Sequence, residues 1–390
     1  MDNLAKFGYI LRIMKNQKTI IIVTAVALIT LGILFGVRQN QLADADRLIQ
    51  DPDLTNALLA EQVVFKGEQY LIPPGEIYEY GSGIDGAEPI NNPTFVSVNE
   101  ADEVIADGLM GIDVEVDGDH RFYPVQILNW HQVVNDEFNG KQLLVSFDLL
   151  TFSDRVYEAT EDFGHSGKVY NNNALLYDKS TQSLWLQSRG IAVSGNRIGE
   201  ELDRYPSISI KWEDWKELYP DGEVLSTETE SIRDYTRHPF GVYDEAEIIY
   251  FPLQDTDTRI SSKWHTYGIS INDEQKAYVQ RIMQGIGAAN DVVGGEVIVA
   301  FYDGKFDITR VFSRVSDGVE LTFQYNFADG RIKDDQTGSF WTAGGLAISG
   351  ELEGTQLEPI QTDHSFWFSW SVNYPNSTIL GIDEDSTLSE

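Results

Sequence analysis

The chain has 390 residues, with Lys+Arg 28 against Asp+Glu 62, a formal net charge of −34, and no cysteine. Hydrophobic residues at 42% and aromatics at 12% exclude global disorder, and the length allows two or three domains with buried cores. The missing cysteine excludes disulfides, thiolate zinc sites, iron–sulfur clusters and cysteine nucleophiles, and so negative a chain repels nucleic-acid backbones.

In chain order, residues 1–18 form a short basic segment carrying Lys6, Arg12, Lys15 and Lys18. Residues 19–37 read as a transmembrane helix. Its apolar run Ile20–Val37 carries no charge and only Thr24 and Thr30 as polar interruptions. At about 1.5 Å per residue the run spans roughly 27 Å, the thickness of a bilayer core. Positive charge stays cytoplasmic, which predicts a single-pass cell-membrane protein with its N-terminus inside and everything after Arg38 extracytoplasmic. A cleaved signal peptide is the competing reading, since Ala43-Asp44-Ala45 resembles a cleavage site. The apolar run is long for that role and Ala45 is far from its end, so an uncleaved anchor is expected. Most of the acidic excess lies beyond the anchor. Solubility, a salt-adapted source or attraction of divalent cations would each explain it.

Residues 38–75 read as a stalk and linker, ending in the loop signal Pro73-Pro74-Gly75. Beyond them the chain is self-similar at a spacing of 155. Tyr123, Asn135-Asp136, Gly140 and Arg155-Val156 match Tyr278, Asn290-Asp291, Gly295 and Arg310-Val311. With one inserted residue, Asp178, Thr181, Ser183 and Trp185 match Asp334, Thr337, Ser339 and Trp341. The spacing of 155 then resumes from Gly190, Ser194 and Gly195 through Trp215, Tyr219 and Pro220. Twenty identities fall over roughly 115 positions, where average composition gives about seven. The expectation is two tandem copies of one domain, residues 76–230 and 231–390.

Each copy opens with an alternating strand (Ile112–Val116; Ile269 and Ile271) and a tight turn at Asp117-Gly118 or Asn272-Asp273. A helix with apolar positions Val125, Leu128, Val133 and Val134 is expected next. Hairpin-like strands then run over 143–147, 155–159, 168–177 and 183–187, separated by Asn- and Gly-rich turns. An aromatic helix over 212–219 closes the first copy. The fold class is therefore a β-rich, mostly antiparallel α+β protein.

Positions identical in both copies are best explained by packing and turns: Gly190/Gly345, Gly195/Gly350, Trp185/Trp341 and Trp215/Trp370. Chemistry is expected where only one copy carries polar groups. Asn129-Trp130-His131 stands opposite Gln284-Gly285-Ile286. His131 is thus either a satisfied core histidine or a site residue. Asp136, placed roughly 140° further round a helix, and Asp148, ending the 143–147 strand, are the nearby carboxylates. His131, Asp136 and Asp148 are the candidate catalytic set, acting as acid and base or holding a divalent metal through N and O ligands. Asn129, Trp130, His131 and Arg233 are the candidate ligand-binding residues. No close ligand spacing marks a metal site, and no cofactor is evident.

Other motifs do not carry chemistry. Asp113, Glu115 and Asp117 resemble the start of a calcium loop, but its twelfth position is Pro124. Gly285-Ile286-Gly287 lacks the third glycine of a dinucleotide loop. His165 and Ser166 are adjacent on a strand and so point to opposite faces. Arg233-Asp234-Tyr235 suits an anion or a local salt bridge.

At Phe122-Tyr123-Pro124, Leu128-Asn129-Trp130-His131 and Val134-Asn135-Asp136 the chain resembles the prokaryotic family called domain of unknown function 3179. The resemblance continues through Phe163-Gly164, Ser166-Gly167-Lys168, Tyr170-Asn171-Asn172, Ser183-Leu184-Trp185, Gln187, Arg233-Asp234-Tyr235 and Phe251-Pro252. It covers about residue 80 to beyond 300 and implies no reaction, because the family's activity is not established. Where the family typically has Cys-Pro-Leu, this chain has Asp148-Leu149-Leu150, so family chemistry that needs a thiol would be absent or altered here. The combined expectation is a membrane-anchored extracytoplasmic binding or interaction module. Its partner is a small molecule or an envelope component, and its pocket lies near His131. The alternative is a hydrolase-like or metal-dependent enzyme.

Overall fold

The computed structural model describes residues 63–65, 68–81, 83–229 and 231–382. The Ile20–Val37 run lies outside the described residues. Among the described residues no helix is long and apolar enough to cross a membrane.

Strands dominate, and nearly all pair antiparallel. After a short hairpin of Val63–Phe65 with Glu68–Tyr70, the first half is built from the hairpin Met110–Val116 and Asp119–Pro124. Its turn puts Asp117 and Gly118 at φ 55° and 88°, the left-handed geometry that a two-residue hairpin turn needs. The short helix Val125–His131 follows and buries Ile127, Leu128 and His131. It stops because Gln132 takes φ 60°, a left-handed conformation that no helix continues through. Val133 and Val134 therefore begin the strand Val133–Phe138 and do not extend the helix as the sequence suggested. That strand pairs with Lys141–Asp148, which pairs in turn with Ser153–Glu158. The single strand expected over 168–177 is two, Phe163–Tyr170 and Asn173–Asp178, turning at Asn171 and Asn172 with φ 50° and 63°.

The same order recurs from His265. Hairpin His265–Ile271 and Glu274–Val279 leads to the helix Gln280–Ile286, then to strands Ala288–Val293, Glu296–Asp303 and Ile308–Ser313. Local bonding recurs with it. Tyr123 donates its hydroxyl to Asp136 at 2.5 Å, and Tyr278 to Asp291 at 2.8 Å. Trp185 Nε1 donates to Asp178 at 2.9 Å, and Trp341 Nε1 to Asp334 at 2.9 Å. Asn135 and Asn290 each bond the backbone of a Phe, 163 or 323, in both directions. Gly195 and Gly350 hold φ 96° and 106°, and a Cβ on either would meet a serine Cα at 2.7 or 2.6 Å. Glycine alone fits there.

The main core gathers Ile112, Tyr123, Leu128, Val134, Val145, Phe147 and Val156. Tyr235 and Tyr243, from the irregular segment after the strand Glu223–Leu225, pack into it, as do Phe366 and Phe368 from near the C-terminal end. The first-half core thus takes side chains from beyond residue 231, and the two halves share apolar contacts.

One feature distinguishes the first half. The short strand Ile90–Asn91 lies parallel to Val134–Asn135 and covers the edge of the first-half sheet. The corresponding second-half strand, Ala288–Val293, pairs only with Glu296–Asp303 among the described residues. The 85–94 segment thereby builds a wall that the second half lacks.

Candidate functional site

That wall borders a cleft of about 580 Å³. One side is the 85–94 segment, with Asp85, Glu88 and Asn91; the other is formed by Leu225, Ser226, Glu228, Thr229 and Ser231; His131 and Lys179 complete the lining. The volume suits one small molecule.

His131 is 1% exposed and sits at the end of its helix, where both segments reach it. Nδ1 lies 2.6 Å from the Glu88 carbonyl oxygen, which can only accept, so Nδ1 carries the proton. Nε2, 2.6 Å from the Tyr235 hydroxyl, is then the acceptor in the neutral ring. The Tyr235 hydroxyl also meets Thr229 Oγ1 at 2.7 Å. Burial lowers the His131 pKa, and the positive charge of Arg233 lowers it further, against the opposing bond to Glu88. His131 is therefore a neutral ring with both nitrogens occupied. It ties one wall to the other through Glu88 and Tyr235.

The remaining candidates lie apart from it. Trp130 donates Nε1 to the Arg237 carbonyl at 3.0 Å, and Arg233 stacks over its ring at 5.7 Å. Asn129 is buried, with Oδ1 unpartnered among the described residues. Trp130, Arg233 and Asn129 do not line the cleft. Asp136 stands on a strand and not on the His131 helix. Arg121 grips it at 2.9 and 3.0 Å, and Tyr123 donates to it. Lys276 and Tyr278 hold Asp291 in the same way.

Asp148 is 2% exposed. Oδ1 accepts the backbone N–H groups of Leu150 at 2.8 Å and Thr151 at 3.0 Å, and Oδ2 accepts that of Ala174. Burial nonetheless pushes its pKa up to about 6. These bonds fold the 148–153 turn, which places Phe152 at φ 54°. No hydrogen bond or ion pair links His131, Asp136 and Asp148 among the described residues, nor do three or more His, Asp or Glu side chains there gather as a metal would require.

The cleft is lined by the carboxylates Asp85, Glu88 and Glu228 and by one ammonium group, that of Lys179. Glu88 accepts from Ser231 Oγ, Asp85 from Tyr177 at 2.6 Å, and Asn91 Oδ1 from Lys179 at 3.2 Å. Glu228 is exposed on the rim. Sequence reasoning missed Asp85, Glu88 and Thr229, because nothing local marks a segment whose role comes from parallel pairing with a distant strand. Tyr235 was within reach: it lies in the Arg-Asp-Tyr motif, where the tyrosine and not the arginine meets His131.

Comparison with curated proteins finds no match, and comparison with solved structures finds none either. The family model described as "Protein of unknown function (DUF3179)" matches residues 85–377, spanning the cleft, both halves and the segment between them. The chain belongs to the DUF3179 family.

Proposed function

We propose that this protein is a membrane-anchored, extracytoplasmic binding module made of two tandem copies of one domain, the first of which binds a small polar ligand in the cleft beside His131. The observation that carries the reading is the cleft itself, about 580 Å³, walled by a segment present only in the first half and tied shut at the rear by His131. Its carboxylates and carbonyl oxygens call for a ligand rich in hydrogen-bond donors, a polyol or an amine. The tandem copies are supported by the recurring Tyr–Asp, Trp–Asp and Asn–Phe bonds at equivalent positions. The anchor is supported by the uncharged run Ile20–Val37 and the basic residues before it.

The enzymatic alternative, with His131, Asp136 and Asp148 acting together, has less support. His131 has no free nitrogen, and the two carboxylates are engaged elsewhere.

Titration calorimetry of the detergent-solubilised protein with myo-inositol, glucose and 1,4-diaminobutane tests the reading. Binding by one of them, weakened about five-fold or more by Glu228→Gln, is expected. No binding by any, or binding indifferent to Glu228→Gln and to Glu88→Gln, would contradict it. Turnover of a screened substrate that His131→Gln abolishes would favour the enzyme instead.

A further inference from the structure

Away from the cleft, the contact between the halves concentrates positive charge that the fold does not fully use. Arg155 is 3% exposed and donates Nε to the Ser188 carbonyl at 3.0 Å and Nη1 to the Asp154 and His364 carbonyls at 2.7 and 3.2 Å. Its Nε also lies 3.6 Å from Asp363 Oδ1, and Arg204 Nη2 lies 3.1 Å from the same oxygen. Arg189, next to Ser188 in the chain, lays its guanidinium over Tyr374 at 5.1 Å. Arg155 and Arg204 therefore share one carboxylate, and their charges act together with that of Arg189 on Tyr374, in a chain whose net charge is −34. Asp154, the other nearby acid, takes a hydrogen bond from Ser209 at 2.7 Å, and burial shifts it toward its neutral form.

Several donors in this cluster have nothing to bond among the described residues. Arg189 Nη1, Arg204 Nη1 and the hydroxyl of Ser188 are all buried and without a partner there. Ser188 as a whole is 5% exposed. A buried guanidinium N–H costs free energy unless an acceptor meets it, and a charged acceptor meets it best. The second half is an internal comparison. At the spacing of 155, Ser188, Arg189 and Arg204 correspond to Ala343, Gly344 and Pro359, whereas Arg155 and Tyr219 are kept as Arg310 and Tyr374. The domain folds without this polar set, so its presence in one copy calls for a different explanation.

We propose that Arg155, Arg189 and Arg204, with the Ser188 hydroxyl, form a binding site for a small oxyanion, a phosphate or carboxylate group, at the junction of the two halves. The fork of a guanidinium matches two oxygens of such a group, and neighbouring forks can hold it from more than one side. The site is separate from the cleft, whose lining suits a donor-rich ligand and not an anion.

Calorimetric titration of the full-length protein with inorganic phosphate and with succinate, each against chloride at matched ionic strength, tests the proposal. One saturable site for phosphate or succinate is expected, with affinity lowered ten-fold or more by Arg189→Gln. The two anions distinguish phosphoryl from carboxylate recognition. Arg189 makes no side-chain hydrogen bond among the described residues, so Arg189→Gln should fold. Ser188→Ala removes only an unpartnered hydroxyl and should weaken binding about three-fold. A response no greater than chloride's, or unchanged affinity in both variants, would overturn the proposal.

Discussion

The junction between the halves also holds two histidines, His364 buried and His265 half-buried, and their surroundings set their behaviour in mild acid. His265 Nδ1 and His364 Nε2 lie 3.0 Å apart, and the outer nitrogen of His364 faces Ser209 Oγ at 3.4 Å. Burial drives both pKa values down to about 3, helped for His265 by the neighbouring His364 and for His364 by the positive charge of Arg155. In the unfolded chain each has the ordinary value of about 6.5. Below that value the unfolded state takes up protons that the folded state refuses, so stability is full above about pH 6.5 and falls as the pH is lowered toward 3. From pH 7.5 to 5.5 each histidine should cost on the order of 1 kcal/mol, and the pair roughly 2–3 kcal/mol. The perturbation is the double variant His265→Gln/His364→Gln, and the assay is guanidinium denaturation of both proteins at the two pH values and fixed ionic strength. The wild type should lose roughly 2–3 kcal/mol more than the double variant between them, whatever the surface carboxylates contribute to each. A difference below about 0.5 kcal/mol would show that the histidines accept protons in the folded protein, and would refute the argument.

Asp148 should act in the opposite direction. Its folded pKa of about 6 lies above the ordinary carboxylate value, so lowering the pH from 7.5 to 5.5 should stabilise the wild type by on the order of 1 kcal/mol. Asp148→Asn should lack that gain in the same denaturation experiment. Asp178→Ala and Asp334→Ala each strand a tryptophan N–H and a threonine backbone N–H. Each should cost about 2–4 kcal/mol, and by similar amounts, as read from denaturation midpoints. A large inequality between the two would argue against two copies of one domain. Gly195→Ala would force a Cβ against Ser183 in a left-handed backbone and should cost more than about 2 kcal/mol in the same assay.

Much of this fold could be read in the chain, because its signals are local. Asp117-Gly118 and Asn272-Asp273 mark hairpin turns by chemistry that needs no distant partner. The alternation of Asp113 and Glu115 with Val114 and Val116 reads as a strand, and Asp113 duly sits in one, bonded to Trp215 Nε1 at 2.7 Å and not to a cation loop. Failures came where burial hides the period. Val133 and Val134 are buried on a strand that continues directly from a helix with its own buried face, so apolar residues alone cannot mark the junction at Gln132. That error put Asp136 on the same helix as His131, although the match of Asn135-Asp136 to Asn290-Asp291 already pointed to a structural role. His131 itself was legible as an exception between the two self-similar stretches of sequence. Its partners were not: Tyr235 lies 104 residues away and Glu88 lies 43 away, and only tertiary structure brings them together.

The central claim is that the first-half cleft, and not an assembled catalytic triad, is where this protein meets its ligand. A crystal structure of the protein soaked in myo-inositol, glucose and 1,4-diaminobutane tests it most directly. The account predicts density for one of them between Glu88, Asn91 and Glu228, with the His131 ring unmoved on Glu88 and Tyr235. Density bridging His131 to Asp136 or Asp148, or a ligand held elsewhere with the cleft empty, would contradict it.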